Sequence, residues 1–216
     1  MDVDFTSILG ADRVLDTPDD RRHYGADWSK HYQANPSLVL LPKSAEEVQE
    51  LLRVANDKRI AIVPSGGRTG LSAGATATNG EVVLSLEKLN AIGDVNIHEN
   101  AVVVGAGAVL ERVQEAARRA GLFYPVDLGP RGSCQIGGNI ATNAGGNRVL
   151  RYGGTRNWVL DVEVVFADGT RESLNGSLYK NNTGYDLRQL MIGSEGTLGV
   201  IVAATLALTT PPKDRR

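Results

Sequence analysis

This sequence has a single cysteine and no large excess of charge of either sign, and each of these absences excludes a class of protein. Cys134 is the only cysteine among 216 residues, so the chain has no internal disulfide framework and suits a reducing compartment. The 23 basic and 25 acidic residues give a formal net charge of −2. No excess of charge is therefore available to attract nucleic acid or an anionic membrane surface.

Long apolar runs are also absent. No run approaches the roughly 20 residues that cross a bilayer, and the first residues, MDVDFTSILG, lack the basic and apolar regions of a signal peptide. We therefore expect a cytoplasmic protein and see no indication of membrane association. His23, His31 and His98 lie far apart without metal-ligand spacing, so we expect no metal site.

Glycine, in contrast, is abundant, with 25 residues among 216, or about 12% against roughly 7% in an average protein. Four glycines lie in PSGGRTGLSAGA (64–75) and six in LGPRGSCQIGGNIATNAGG (128–146). Clustering of this kind indicates backbone that passes close to something, because a side chain would be in the way.

The first half of the sequence predicts a strand, a helix and two further strands. An apolar run at 37–41 ends before Pro42, and Ser44 and Glu47 have the spacing of a capping box. Apolar residues at 48, 51, 52 and 55 mark one face of the helix that follows. Strands are predicted at 60–63 and 81–86, with the first glycine window between them.

The second half predicts hairpins and helices. Residues 95–97 and 101–107 are predicted to form a hairpin, followed by a helix at 110–120 that Gly121 ends. Asp168-Gly169 lies between two apolar runs, the strongest short hairpin signal in the chain. A short helix at 185–193 and a long, mostly buried strand at 197–210 complete the pattern.

The first glycine window offers a row of backbone N–H groups with few side chains in the way. Amides that curve around a concavity bind phosphate oxygens, so a diphosphate suits this loop, and a loose surface turn is the alternative. The lysine of a P-loop is absent. The segment GAGAVLER (105–112) fails the dinucleotide fingerprint because Leu110 occupies the third glycine position. Arg68 either adds positive charge or is a solvated side chain.

The second window repeats this chemistry. A helix that starts near Ile136 would leave free N–H groups in its first turn, which gives a second site for an anion or a carbonyl group. Two such windows in one small domain favour a long cofactor that carries a diphosphate and a polar ring system.

Five motifs resemble a known family in their order and spacing: PSGGRTGLSAG (64–74), PVDLG (125–129), IGGNIATNAGG (136–146), RYG (151–153) and GSEGTLGVI (193–201). The sequence is similar to the FAD-binding domain of the FAD-linked oxidases, of the vanillyl-alcohol-oxidase or PCMH type. Within that family it resembles the D-2-hydroxyacid dehydrogenase branch, which includes D-lactate and D-2-hydroxyglutarate dehydrogenases and the flavin subunit of glycolate oxidase. The resemblance runs from about Tyr24 to Pro212.

The resemblance implies an α+β fold, namely a PCMH-type FAD-binding domain of two α/β lobes at 36–212. The first lobe, about 36–90, would hold a small, mostly parallel sheet, and the second, about 91–212, a mostly antiparallel sheet flanked by helices. Residues 1–35 would form an N-terminal arm. Residues 213–216 would begin a linker to a C-terminal substrate or cap domain.

The resemblance also implies which residues bind FAD. The first window would wrap the diphosphate, the second would line the flavin and ribityl region, and residues 195–201 would lie at the adenine end or the diphosphate. No histidine or cysteine lies in the first window, so FAD is expected to be non-covalent, and Cys134 is expected to pack beside the helix start. The predicted cofactor-binding residues are Pro64, Ser65, Gly66, Gly67, Arg68, Thr69, Gly70, Leu71, Ser72, Pro125, Asp127, Leu128, Gly129, Ser133, Gly137, Gly138, Asn139, Ala141, Thr142, Asn143, Gly145, Gly146, Tyr152, Gly153, Glu195, Gly196, Leu198, Gly199, Val200 and Ile201.

The implied activity is oxidation of a D-2-hydroxyacid to the 2-oxoacid by hydride transfer to the flavin N5. The catalytic residues and the contacts to the small 2-hydroxyacid would lie in the cap domain, so this chain alone is expected to be inactive. Two alternatives stay open: a stand-alone FAD module that transfers electrons as a subunit, and an enzyme like UDP-N-acetylenolpyruvoylglucosamine reductase on the same fold. The electron acceptor is not specified, and a homodimer is one option for the assembly.

Overall fold

A computed structural model describes residues 3–29 and 31–213. Residues 214–216 of the predicted linker and residues 1, 2 and 30 of the predicted arm lie outside the described residues. The strands are β1 (Val14–Leu15), β2 (Leu38–Leu40), β3 (Ile62–Ser65), β4 (Val82–Ser85), β5 (Ala101–Gly105), β6 (Val159–Val165), β7 (Arg171–Ser173) and β8 (Val200–Ala207). The α-helices are α1 (Thr6–Leu9), α2 (Pro18–Gly25), α3 (Ala45–Lys58), α4 (Leu110–Arg119), α5 (Ile136–Ala141), α6 (Val149–Tyr152) and α7 (Arg188–Met191).

The first sheet has the strand order β1-β2-β4-β3. Strands β2 and β3 each run parallel to β4, whose four residues are all buried, and β1 runs antiparallel to β2. The mostly parallel first sheet is confirmed. Strand β1 was not predicted, because two residues are too few to show a period.

Helix α3 begins as its capping signal predicts. The Glu47 N–H donates to the Ser44 hydroxyl at 3.2 Å. The Glu47 carboxylate does not complete the capping box at Ser44 and instead accepts from the Lys43 N–H at 2.8 Å and from Arg13. The four apolar residues of the predicted face are buried, and the helix ends at Arg59 in the left-handed region, φ +54°.

The second sheet is antiparallel throughout, in the order β5-β8-β6-β7. The predicted hairpin at Asp168-Gly169 is confirmed, since it joins β6 to β7. The helix predicted at 110–120 is confirmed as α4, and Gly121 follows it with φ +75°.

Three boundaries in the second half were predicted wrongly. The hairpin predicted from 95–97 and 101–107 is shorter than predicted: Asn96 and Ala101 donate N–H bonds to each other's carbonyl at 2.9 and 3.1 Å, but residues 95–97 form no continuous strand beside β5. The helix predicted at 185–193 is the single turn α7. Strand β8 begins only at Val200, since Glu195 and Gly196 adopt positive φ in the turn before it.

One hydrophobic core joins the two sheets. It contains Leu84 of β4, Val104 of β5, Ile140 of α5 and Leu206 of β8, and each of these side chains is at most 1% exposed. The segment predicted as an N-terminal arm contributes Phe5 to the same core as well as strand β1 to the first sheet. None of the helices in the described part of the chain has the length and apolarity needed to cross a bilayer.

Candidate cofactor site

Four segments converge on one cavity of about 620 Å³, a volume in the range of small-molecule and cofactor sites. The first glycine window enters it directly after β3. Residues 127–130, the segment from Gln135 through α5 to Asn147, and the turn that leads into β8 supply the other walls. The two glycine windows, which lie far apart in the sequence, therefore line the same cavity.

The first window presents free backbone donors to this cavity. No backbone carbonyl of the described residues accepts a hydrogen bond from the N–H groups of residues 67–72. Arg68 adopts a left-handed conformation, φ +55°, in the middle of this row. Consecutive N–H groups around a left-handed residue form a concave site for phosphate oxygens, so the local geometry matches the predicted diphosphate loop.

The Arg68 side chain is held against the protein, so the solvated alternative is wrong. It is 16% exposed, lies 4.7 Å above the Tyr24 ring, and donates to the Gly66 carbonyl at 3.3 Å. The Tyr24 hydroxyl donates to Glu87 at 2.9 Å, and burial together with this bond raises the pKa of Tyr24 to about 12. Arg68 thus connects the loop to Tyr24 of α2 and to the carbonyl of Gly66.

The glycines in the two windows have two different surroundings. A Cβ on Gly67 would overlap the Ser133 carbonyl oxygen and lie 2.9 Å from the Cα of Cys134, and a Cβ on Gly146 would overlap the Asp127 carbonyl oxygen. These glycines permit contact between backbone segments of the protein itself. Gly129 and Gly138 instead have no atom within 4 Å of a Cβ built on them and line the cavity.

Helix α5 begins at Ile136 as predicted, but the expectation of several free first-turn N–H groups is wrong. Ile136 donates to the Ala108 carbonyl at 2.9 Å and Gly137 to the Ala106 carbonyl at 2.8 Å. Within the described residues, Gly138 is the first-turn residue whose N–H has no carbonyl partner. The first turn of α5 therefore offers one free N–H to the cavity, that of Gly138.

Three polar atoms of the cavity wall are buried without a partner among the described residues. They are Asp27 Oδ2, Ser65 Oγ and Gln135 Oε1. Buried polar atoms are normally hydrogen-bonded, so three unsatisfied atoms on residues of one cavity wall mark this wall as incomplete without a further partner. The free backbone N–H donors of the first window fit the phosphate oxygens of a sugar diphosphate such as FAD.

Comparison with known families agrees with this chemistry. A family model described as an FAD binding domain matches residues 36–175, more than half of the chain. The chain belongs to the FAD-binding domain family. It is the PCMH-type domain of the FAD-linked oxidases, and its cofactor is FAD.

Relatives of this FAD-binding domain are longer proteins. It is 58% identical over 200 residues to a D-2-hydroxyglutarate dehydrogenase of Xanthomonas citri pv. viticola, covering 93% of this chain and 42% of that protein. A protein of the same name from Stutzerimonas stutzeri is 50% identical, with 95% and 44% covered, and a mitochondrial one from Bos taurus is 44% identical, with 93% and 37% covered. The chain thus spans less than half the length of these relatives.

A solved structure confirms the fold of the FAD-binding domain. An alkyldihydroxyacetonephosphate synthase superposes with a TM-score of 0.84 at 21% sequence identity, covering 94% of this chain and 39% of the synthase. At that identity the match bears on the fold alone, and it agrees with the predicted pairing of a parallel-rich sheet with an antiparallel one.

The structure brings most of the predicted FAD-binding residues to the cavity, and six lie outside it: Pro125, Ser133, Tyr152, Gly153, Leu198 and Val200. Val200 is 4% exposed and belongs to the core. The Tyr152 ring packs edge-on against Phe123 and Trp158. Leu198 is half exposed and lines a smaller cavity on the α3 side, together with Val200.

The other three of these residues have local backbone roles. Gly153 ends α6 with φ +72°. Pro125 is buried, and its carbonyl accepts from Arg148 at 3.5 Å. The Ser133 hydroxyl donates to the Pro130 carbonyl at 3.2 Å. Pro125 and Gly153 lie in motifs of the family and Ser133 lies between two of them, but the contacts of all three are to nearby parts of the protein.

Nine residues of the cavity wall were not predicted: Asp27, Gly74, Ala75, Leu86, Ala106, Pro130, Gln135, Ala144 and Asn147. Five of them lie within the two glycine windows and Asn147 directly follows the second, so including every residue of the windows would have found most of them. Leu86 and Ala106 lie next to the ends of β4 and β5 and carry no signal in the sequence. Asp27 comes from the predicted arm, which closes over the loop through a bond from the Trp28 N–H to the Gly70 carbonyl at 3.1 Å.

Cys134 packs beside the start of α5, as expected, and does not line the cavity. It is 2% exposed, and its sulfur lies 3.6 Å from the Asn139 amide nitrogen. Burial raises the pKa of the Cys134 thiol. In the described part of the chain, no group of three or more His, Cys, Asp or Glu side chains could hold a metal ion.

Proposed function

We propose that this chain is the FAD-binding part of a D-2-hydroxyacid dehydrogenase and that D-2-hydroxyglutarate is its substrate. The observation that carries the proposal is the 58% identity, over 93% of the chain, to a protein named for that activity. Oxidation of the substrate would give the 2-oxoacid, with the hydrogen at C2 leaving as hydride and the hydroxyl hydrogen leaving as a proton.

The chain's own residues supply the cofactor-binding part of this reaction. The N–H groups of residues 67–72 would hold the diphosphate, and Arg68 would keep their loop in place. FAD, when bound, supplies the acceptor for the hydride. Among the described residues no histidine lines the cavity. We therefore expect the proton acceptor and the partners of the substrate carboxylates to come from outside this chain, and we expect the chain alone to turn over negligibly.

Anaerobic mixing of the full-length protein that contains this chain with candidate substrates tests the proposal. D-2-hydroxyglutarate should bleach the flavin absorption band, whereas L-2-hydroxyglutarate should not, and D-lactate and glycolate should react more slowly. NADPH provides the comparison with a reductase of the UDP-N-acetylenolpyruvoylglucosamine type. Bleaching by NADPH together with none by any 2-hydroxyacid would overturn the proposal.

Three finer predictions belong with this proposal. A cytoplasmic location stays a prediction, and the name of the Bos taurus relative places that protein in mitochondria. Non-covalent FAD also stays a prediction, supported by the burial of Cys134 away from the cavity. A homodimer and an external electron acceptor would complete the enzyme.

A further inference from the structure

The residues that line the cavity carry more negative than positive charge. They include three carboxylates, those of Asp27, Asp127 and Glu195, and one guanidinium, that of Arg68. The diphosphate of FAD is an anion, and carboxylates around a cleft lower its affinity for an anion. The free N–H groups of residues 67–72 attract phosphate oxygens but leave the negative charge of the wall in place. A cation that offsets part of this charge would therefore favour the binding of FAD.

Among the described residues, Asp127 is the one of these carboxylates that forms an ion pair. Its Oδ2 lies 3.2 Å from Nη2 of Arg148, and its Oδ1 lies 3.6 Å from Nη1 of Arg131. Arg131 is half exposed and shares its guanidinium with Glu111 at 3.6 Å. Arg148 is therefore the main cationic partner of Asp127.

The second glycine window brings Arg148 to this carboxylate. Gly146 lies so close to the Asp127 carbonyl that a Cβ would overlap it, and Arg148 follows two residues later at the start of α6. The guanidinium of Arg148 also lies 5.1 Å from the centroid of the Phe123 ring, and its Nη1 donates to the Pro125 carbonyl at 3.5 Å. These contacts fix the direction of the guanidinium along the stretch of chain that leads to Asp127.

A charge acts over a distance, so the Asp127 carboxylate does not have to touch the cofactor to influence it. Interactions between charges extend over roughly 8–10 Å at moderate salt and are screened less where the groups are partly buried. The Asp127 side chain is 18% exposed, so water screens it only in part. An unpaired carboxylate in the wall would repel the diphosphate, whereas the pair of Asp127 and Arg148 carries no net charge.

We propose that Arg148 is a positioning residue that acts on the cofactor through Asp127. It keeps the Asp127 carboxylate in a neutral pair, so that the acidic wall accepts the diphosphate of FAD. This inference rests on FAD as the ligand of the cavity and is independent of the substrate. The effect of removing Arg148 should depend on the charge of Asp127 and on the salt concentration, whereas a purely structural role would depend on neither.

Arg148→Met tests the proposal, with Arg112→Met as the matched control. Arg112 lies on α4 outside the cavity, is 74% exposed and pairs with Glu115 at 3.2 Å, so its removal changes the net charge of the chain equally. At about 0.05 M salt, Arg148→Met should weaken FAD binding about 5- to 30-fold, measured by flavin fluorescence quenching. At about 0.5 M salt the loss should shrink to less than about 3-fold. Arg112→Met should leave the Kd for FAD unchanged at both salt concentrations.

Two further variants separate charge from structure. Asp127→Asn combined with Arg148→Met removes both members of the pair and should restore most of the affinity that Arg148→Met alone loses. A structural loss caused by Arg148→Met would persist when Asp127 is changed as well. Arg148→Lys keeps the positive charge and loses the forked geometry, so its Kd for FAD should stay within about 3-fold of that of the unsubstituted chain.

Three outcomes would overturn the proposal. Equal FAD affinity of the unsubstituted and Arg148→Met chains at low salt would show that Asp127 needs no cationic partner. A loss that is the same at both salt concentrations, or that persists in the double variant, would assign Arg148 a structural role. A large loss in Arg148→Lys would do the same, and Arg148→Gln takes the place of Arg148→Met if the latter does not fold. If the unsubstituted chain itself binds no FAD, the cofactor assignment fails as well, which separates the two failures.

Discussion

Gly138→Ala should strengthen the fold and weaken cofactor binding at the same time. Gly138 is the third residue of α5 and lacks a positive φ, so alanine suits its backbone. A methyl group here meets no atom within 4 Å, so it creates no clash in the protein. Glycine in a helix costs about 0.5–1 kcal/mol relative to alanine. The unfolding free energy should rise by about that amount, which raises the Tm by roughly 1–4 °C for a chain of this size.

The same methyl group enters the cavity beside the one free first-turn N–H of α5. Inserting a methyl into a packed contact costs about 1–3 kcal/mol, so the Kd for FAD should rise about 5- to 150-fold. Flavin fluorescence titration measures the Kd, and urea unfolding without FAD measures the stability. Gly67→Ala is the contrasting variant, because its methyl overlaps the Ser133 carbonyl and should lower both the unfolding free energy and the affinity for FAD. Unchanged FAD affinity in Gly138→Ala would refute the reasoning that the cofactor passes over α5.

Two further predictions follow from titratable side chains. Cys134 should resist iodoacetamide in the folded chain at pH 8 and react once the chain is denatured, because burial keeps the thiol protonated and inaccessible. Mass spectrometry of the labelled chain measures the extent of alkylation, and equal labelling of the folded and denatured chains would contradict the prediction. Burial raises the pKa of Glu47, but hydrogen bonds from Arg13 at 2.5 Å and from the Lys43 N–H outweigh burial and leave that pKa lowered. The stabilisation from this carboxylate is therefore full above the ordinary glutamate pKa of about 4.3 and is lost as the pH falls through the lowered pKa. Glu47→Gln should reduce the unfolding free energy by about 1–3 kcal/mol at pH 7 and by less at pH 3, as measured by urea unfolding at both values. A loss of equal size at both pH values would argue against the ionised pair.

Much of the fold could be predicted because its signals are local. The face of α3, its Ser44 cap and the turn at Asp168-Gly169 depend on residues within a few positions of one another. The partner of β5 could not be predicted in this way. It is β8, about a hundred residues away in the chain, whereas the nearby pairing that the sequence predicts is present only as the bridge between Asn96 and Ala101.

The candidate site likewise has features that the sequence predicts and features that only the folded structure shows. The glycine windows predicted the walls of the cavity, since bare backbone is visible in the sequence. The sequence could not distinguish a glycine that makes room for a ligand, such as Gly138, from one that makes room for another stretch of backbone, such as Gly67. Nor could it reveal Gln135 and Asp27, because an unpaired acceptor becomes recognisable only when its surroundings are known.

The contact between the two windows at Gly67 limits how this cavity can be altered. Its backbone is pressed against residues 133 and 134, so neither stretch of chain can acquire a larger residue there unless the other retreats. The walls brace one another, and the shape of the pocket is maintained before any ligand arrives. Redesign for a different nucleotide would therefore have to change positions where a side chain meets no protein atom, Gly129 and Gly138 above all. The contact of Gly67 with residues 133 and 134 would have to stay unchanged.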